Sequence, residues 1–109
     1  MSERLPAALE VAALKRLAEG DGGFATVLRK GDPDRGEILL LLLERGVAAA
    51  LLERRLGADF AYRWVRSDPP ADDDADWANR RTAADPDLWL VELDVADAQR
   101  FVAEMISAG

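Results

Sequence analysis

The feature that most constrains this chain is a run of six consecutive aliphatic residues, 38–43, between Glu37 and Glu44. The run is too short to cross a bilayer, because a membrane-spanning helix needs about 20 apolar residues. A surface helix would interrupt it with polar residues at every turn. Since glycines at 36 and 46 lie just outside the run, the pattern predicts a strand that is buried on both faces and central in its sheet.

Length and composition narrow the class of protein. The 109 residues, half of them apolar, predict one domain over 1–109. The formal net charge of −7 disfavours binding to nucleic acid and to anionic membranes. Cysteine and histidine are both absent, which removes thiol chemistry, the commonest general base and the commonest transition-metal ligand. Residues 1–6 do not resemble a signal peptide, so we expect a cytoplasmic protein. We also expect that the protein needs no cofactor.

Apolar periodicity and turn residues predict an α+β domain in the order α-β-β-β-β-α-β-α. We expect an antiparallel sheet of about five strands packed with three helices. Residues 47–55 have helical propensity, but the tight turn before them favours a strand. The polar residues at 67–74 predict a mobile acidic linker. The elements are predicted at 2–19, 24–30, 37–44, 47–55, 60–66, 74–84, 88–93 and, after Asp94, in a last helix.

The two outer helices each carry a predicted inner stripe. Leu5, Leu9, Ala13 and Leu17 fall on one side of the first helix and predict its buried face, widened by Val11 and Leu14. Asp94 is the predicted cap of the last helix, with Asp97 at the third helical position. Its predicted inner stripe consists of Ala98, Val102, Met105 and Ile106, with Phe101 beside it.

Two stretches resemble a known family. They are Phe24-Ala25-Thr26-Val27-Leu28-Arg29-Lys30-Gly31-Asp32 and Asp85-Pro86-Asp87-Leu88-Trp89-Leu90-Val91-Glu92-Leu93, with the predicted antiparallel strands between them. This pattern is similar to the domain of unknown function 1491 family of small bacterial proteins, and the resemblance extends from the first helix to Glu92. It implies an α+β fold but no activity, so no catalytic residue follows from it.

Arginine and tryptophan supply the best candidate binding surface. Guanidinium groups beside aromatic rings can hold phosphates or carboxylates, whereas the simpler interpretation is salt bridges and arginine stacked on tryptophan. The candidate ligand-binding residues are Arg63, Arg66, Arg80, Arg81, Trp64 and Trp77.

Other polar clusters are better explained as structure. Asp32, Asp34 and Glu37 fall short of a calcium loop and are typical of a turn. The acids near Asp72 suit a helix start. With no catalytic or metal site predicted, we expect a non-enzymatic module that binds a partner protein or assembles as a homodimer, the second copy covering one face of the 38–43 run. The alternative is a protein, and possibly an enzyme, that binds a small molecule or nucleotide through an anionic group on the Arg/Trp surface.

Overall fold

A computed structural model describes residues 5–108, so the predicted start of the first helix at residue 2 lies outside the described part of the chain. Three helices and five strands follow the predicted order. The helices are α1 (Ala7–Gly20), α2 (Trp77–Ala84) and α3 (Ala98–Ala108). The strands are β1 (Phe24–Arg29), β2 (Ile38–Glu44), β3 (Val47–Leu56), β4 (Tyr62–Ser67) and β5 (Trp89–Val95).

The strands form one sheet in the order β1-β5-β2-β3-β4, with the leucine-rich β2 in the centre. β2 pairs with β3 in an antiparallel hairpin and with β5 in parallel register, Leu40 lying opposite Val91. The sheet is therefore mixed and not purely antiparallel as predicted. The physical reason is that a strand buried on both faces needs a buried neighbour on each side, and the apolar β5 fills the place next to β2.

Alternate residues of β2 face two different cores. Leu40 and Leu42 contribute to the cluster on the face covered by α1 and α3, which we call the α1/α3 face. Leu39 and Leu41 contribute to a smaller cluster on the opposite face, with Trp77 of α2 packed against it. We call this second side the α2 face. Residues 38–42 of the apolar run are thus buried by elements of their own chain, and Leu43 is half-buried.

The two stretches that carry the family resemblance meet where β1 and β5 lie side by side. The Asp32 N–H donates to the carbonyl oxygen of Asp87 at 3.0 Å, and Trp89 Nε1 donates to the carbonyl oxygen of Asp32 at 2.7 Å. A Cβ on Gly31 would stand 2.1 Å from the Asp87 oxygen, so a side chain has no room there. The Asp-Pro-Asp-Leu-Trp motif therefore has a structural role at this junction.

The start of α3 differs from its prediction. Asp97 caps the helix, since its Oδ1 accepts the N–H of Arg100 at 3.1 Å. Asp94 is the last residue but one of β5, and its Oδ2 instead accepts the N–H of Gly46 in the β2–β3 turn at 3.0 Å. The strand continues past the predicted cap because its parallel pairing with β2 extends to Val95.

Candidate functional site

The structure separates the four candidate arginines. Arg63 and Arg66 are three positions apart in β4, so they point to opposite faces of the sheet. Arg66 Nη1 donates to Gln99 Oε1 of α3 at 2.6 Å, on the α1/α3 face. Arg80 and Arg81 belong to α2, on the other face. The folded chain therefore does not bring these four side chains to one site.

Arg63 and Arg80 are each held by a carboxylate close in sequence. Both use two guanidinium nitrogens, with Nη1–Oδ1 distances of 2.8 Å to Asp59 and to Asp74 respectively. These donated hydrogen bonds lower the pKa of the Asp59 carboxyl well below its usual range and lower that of Asp74 as well. An anionic ligand would have to break an existing bidentate pair to reach either arginine.

Arg81 lies in a notch where α2 meets β2 and β3, which we call the Arg81 notch. Its Nη2 donates to Glu53, which also accepts from Arg55 Nη2 at 2.8 Å. The hydrogen bond from Arg55 lowers the pKa of Glu53, as does the charge of Arg81, while partial burial opposes both. The notch has a volume of about 280 Å³. Its further lining includes Glu37, Leu39, Arg54, Ala84, Asp85 and Leu88.

Both candidate tryptophans are packed against neighbouring elements. The Arg54 guanidinium lies over the Trp64 ring, with Cζ 4.6 Å from the ring centroid. Arg54 also donates to the Glu10 carboxylate of α1. This stack joins α1, β3 and β4 across the α1/α3 face. Trp77 is half-buried against the cluster on the α2 face. Arginine stacked on tryptophan, the simpler interpretation of the sequence, is thus observed, although the arginine is Arg54.

A groove of about 640 Å³ opens between α1 and α3. Trp64 lines it, Leu14 and Leu17 contribute from α1, and Phe101 and Met105 contribute from α3. We call these five residues the α1/α3 groove. Concave apolar surfaces of this size are typical of binding sites. Gly20 and three charged residues complete the lining: Arg16, Asp21 and Glu104.

An exposed apolar line runs along α1 beside this groove. It consists of Leu5, which precedes the helix, and of Leu9, Ala13 and Leu17 within it, and we call it the leucine stripe. The three leucines expose between 53 and 56% of their surface. The predicted buried face is therefore wrong for these four residues, whereas Val11 and Leu14, which were predicted to widen it, are buried. Because Leu17 also lines the α1/α3 groove, the stripe and the groove form one continuous apolar surface.

The buried side of α1 is a second apolar line, and its position explains the wrong prediction. The residues packed on the sheet are Ala7, Val11, Leu14 and Ala18. A helix that covers one face of a sheet needs a single apolar side, with polar residues opposite. The sequence of α1 is apolar on both sides, which is more apolar surface than packing on the sheet requires. This second apolar side was the sequence signal that one side of α1 is available to contact another molecule.

Asp32 has a structural role in the turn before β2. Its Oδ1 accepts the N–H groups of Asp34 and Arg35 at 2.9 and 2.8 Å, which closes the turn before β2. These bonds lower the pKa of the Asp32 carboxyl. Over residues 5–108, no group of three or more acidic, histidine or cysteine side chains is arranged to hold a metal ion. Over the same range, the helices lack the length and apolar character needed to cross a membrane.

Comparison with known proteins identifies the family. The family model described as "Protein of unknown function (DUF1491)" matches residues 5–103. A crystal structure of a DUF1491 family protein from Caulobacter crescentus CB15 is 39% identical, with a TM-score of 0.76, and the match covers 90% of this chain and 94% of that chain. An NMR structure of a DUF1491 family protein from the same organism is also 39% identical, with a TM-score of 0.72 and coverage of 89% and 91%.

A third solved structure shares the fold at lower identity. It is a solution structure of a protein from A. tumefaciens, 24% identical with a TM-score of 0.68, and the match covers 87% of this chain and 89% of that one. No curated protein matches the chain. The family match spans most of the sequence and includes both stretches on which the resemblance rested. The chain belongs to the DUF1491 family of proteins of unknown function.

Proposed function

We propose that this protein is a non-enzymatic interaction module that binds the apolar face of a partner helix. The docking surface is the α1/α3 groove together with the leucine stripe. The observation that carries the proposal is their continuity through Leu17, which joins exposed leucines to a groove containing Trp64 and Phe101. Aromatic and aliphatic side chains surrounded by charged residues are typical of interface centres. A helix is a suitable occupant because residues spaced by three and four positions can enter such a groove together.

The charges of the molecule support binding over catalysis. Arg63 and Arg80 are neutralised by adjacent carboxylates, and the chain contains neither histidine nor cysteine. Catalysis needs a nucleophile, a base or a metal held near a reacting atom. A binding surface needs an exposed apolar area, and the exposed leucines beside the concave α1/α3 groove supply one.

Photo-crosslinking tests the docking surface directly. A photoreactive amino acid is placed at Leu17 in one variant and at Leu56 in another, and each is irradiated in the cells that produce the protein. Leu56 is the matched control, because both leucines expose 53% of their surface and Leu56 ends β3, outside the groove. We expect one predominant adduct at position 17 and only diffuse background at position 56.

The adduct must then be reproduced with purified components. The crosslinked protein, or this chain itself, is titrated against wild type, Leu17→Glu and Leu56→Glu. We expect Leu17→Glu to weaken binding at least ~10-fold, because the introduced charge must be desolvated at an apolar contact. Equal crosslinking at both positions, or binding that is insensitive to Leu17→Glu, would overturn the proposal.

We propose the binding of a small anion in the Arg81 notch as a second candidate function. One observation favours it: the guanidinium groups of Arg55 and Arg81 converge on the single carboxylate of Glu53, and both arginines line the notch together with Glu37 and Asp85. A thermal-shift screen with phosphate, nucleotides and organic acids tests it, since a ligand that binds the native state raises the melting temperature. A shift that Arg81→Met abolishes and Arg63→Met retains would support the notch. No shift in wild type would remove this candidate.

A further inference from the structure

We infer that the helix bound by the leucine stripe is α1 of a second copy of this chain. In the proposed dimer the two α1 helices lie antiparallel, with Ala13 facing Ala13 of the second copy. The inference rests on the proposed function and names its partner. It also moves the expected dimer contact away from residues 38–43, because that run is covered by its own chain and gives no reason for a second copy.

The spacing of the leucine stripe is symmetric about Ala13. Leu9 precedes it by four residues and Leu17 follows it by four, so all three occupy one side of the helix. When two such helices cross antiparallel at Ala13, the small side chain lets the backbones approach and each Leu9 meets a Leu17 of the second copy. The same contact is made twice, as a two-fold dimer requires.

The antiparallel direction also connects the stripe to the groove. Leu17 lines the α1/α3 groove, so the antiparallel arrangement places Leu9 of the second copy at the groove. A parallel arrangement would place a second Leu17 there and leave the two helix dipoles aligned, which is unfavourable. The antiparallel pair therefore covers both apolar surfaces and opposes the two dipoles.

The local charge of α1 permits self-association, although the whole molecule is acidic. Across Ala7–Gly20 the exposed charged residues are Lys15, Arg16 and Glu19, because Glu10 is buried and paired with Arg54. The chain as a whole has a net charge of −7, so a contact between two copies at an average patch of surface would be repulsive. The face formed by α1 therefore lacks the excess of negative charge that the whole molecule carries.

Sedimentation velocity over a wide concentration range tests the dimer. We expect wild type to show reversible dimerisation in the micromolar range, typical of a small interface. Leu9→Glu and Leu17→Glu should each weaken the dimer at least ~10-fold, because two glutamates enter the contact, one from each copy. Leu56→Glu adds the same charge at an equally exposed leucine outside α1 and should leave the dimer unchanged. A wild type that stays monomeric throughout, or equal effects of all three variants, would overturn the inference.

Single cysteines test the direction of the pairing. The chain has no native cysteine, so any disulfide reports the introduced residues alone. We expect a mixture of Leu9→Cys and Leu17→Cys chains to form mainly the mixed disulfide on mild oxidation, because these positions face each other only in the antiparallel arrangement. Ala13→Cys should dimerise faster than Ala103→Cys, an exposed alanine of α3 that serves as the collision control. Predominant Leu9–Leu9 and Leu17–Leu17 disulfides would overturn the antiparallel arrangement.

These results separate the dimer from the proposed function. If wild type is monomeric and position 17 crosslinks to another protein, the docking surface stands and the second copy is excluded as its occupant. If wild type dimerises through Leu9 and Leu17 and position 17 crosslinks to its own chain, both are supported. If position 17 gives no specific adduct and the chain is monomeric, both fail.

Discussion

On the α1/α3 face of the sheet, two helices cover a continuous core, whereas on the opposite face the eight-residue α2 covers a smaller cluster. The ion pairs differ in the same way. Arg54 and Glu10, on the first face, have side chains only 14 and 10% exposed, while Arg81 and Glu53, on the second, are 40 and 28% exposed. The first face supplies most of the buried contact, and the second supplies charged and partly hydrated contacts.

The difference between the two faces shows which side of the protein can bind another molecule without disturbing the hydrophobic core. The helix that covers the larger core, α1, is also the one that carries the exposed leucine stripe. Burial of Ala7, Val11 and Leu14 fixes α1 on the sheet. Its outer side is therefore presented on a rigid support, which lowers the entropy cost of binding.

The largest expected contrast is between neighbouring leucines of β2. Leu42→Ala removes a fully buried side chain on the α1/α3 face, and Leu41→Ala removes a side chain on the α2 face that is 6% exposed. We expect losses of about 4 and about 2 kcal/mol in the free energy of unfolding, because the cavity beneath the short α2 can collapse more readily. Denaturant unfolding of both variants measures this. Equal losses would mean that the two faces are equally rigid.

A smaller contrast is expected between the two ion pairs. Arg54→Met leaves the mostly buried Glu10 carboxylate without this partner and removes the stack on Trp64. We expect it to cost about 3 kcal/mol. Arg81→Met breaks a partly exposed pair and should cost less than ~1 kcal/mol. The matched control is Arg54→Met combined with Glu10→Leu, which should recover part of the loss because the buried carboxylate is then removed together with its arginine partner. Similar costs for the two single variants would contradict the contrast.

The smallest effect is a pH dependence on the α2 face. The pKa of Glu53 is lowered by Arg55 and Arg81, so the charged form stabilises the folded state. This stabilisation is complete above the ordinary pKa of 4.5 and is lost as the pH falls through the lower pKa of the folded protein. Wild type should therefore exceed Glu53→Gln in stability by about 0.5 kcal/mol at neutral pH. Unfolding curves at decreasing pH should show this difference vanish, and a constant difference would rule out the ion pairs as its source.

Much of the fold follows from local patterns, and its errors have identifiable causes. The tight turn at Arg45-Gly46 and the need of β2 for a neighbour correctly favour a strand over a helix for β3. Strands that are neighbours in sequence usually pair, and this tendency favours an antiparallel sheet. The insertion of β5 between β1 and β2 depends on contacts between residues that are far apart in the chain. It buries Leu90 and Val91, which lie on opposite sides of the strand.

The candidate site was harder to predict from the sequence than the fold. The sequence identifies arginine and tryptophan side chains as groups that can bind a ligand. It does not show which residues they contact after folding, as the pairing of Arg81 with Glu53 of a distant strand illustrates. Exposed leucines cannot be recognised from the sequence, because an apolar residue in a helix is normally buried. Only the position of α1 on the sheet identifies Leu9 and Leu17 as surface.

By itself the sequence determined the elements, their order and the central place of the leucine-rich strand, because hydrophobic periodicity and turn residues act over a few neighbouring positions. The tertiary structure decided which side of α1 is buried, which strands pair in parallel and which charges meet. Those outcomes depend on packing between segments that are far apart in the chain. The helix α1 has two apolar sides, and only one of them packs on the sheet. That side contains Ala7 and Ala18, whose small side chains allow a closer approach than the leucines opposite them.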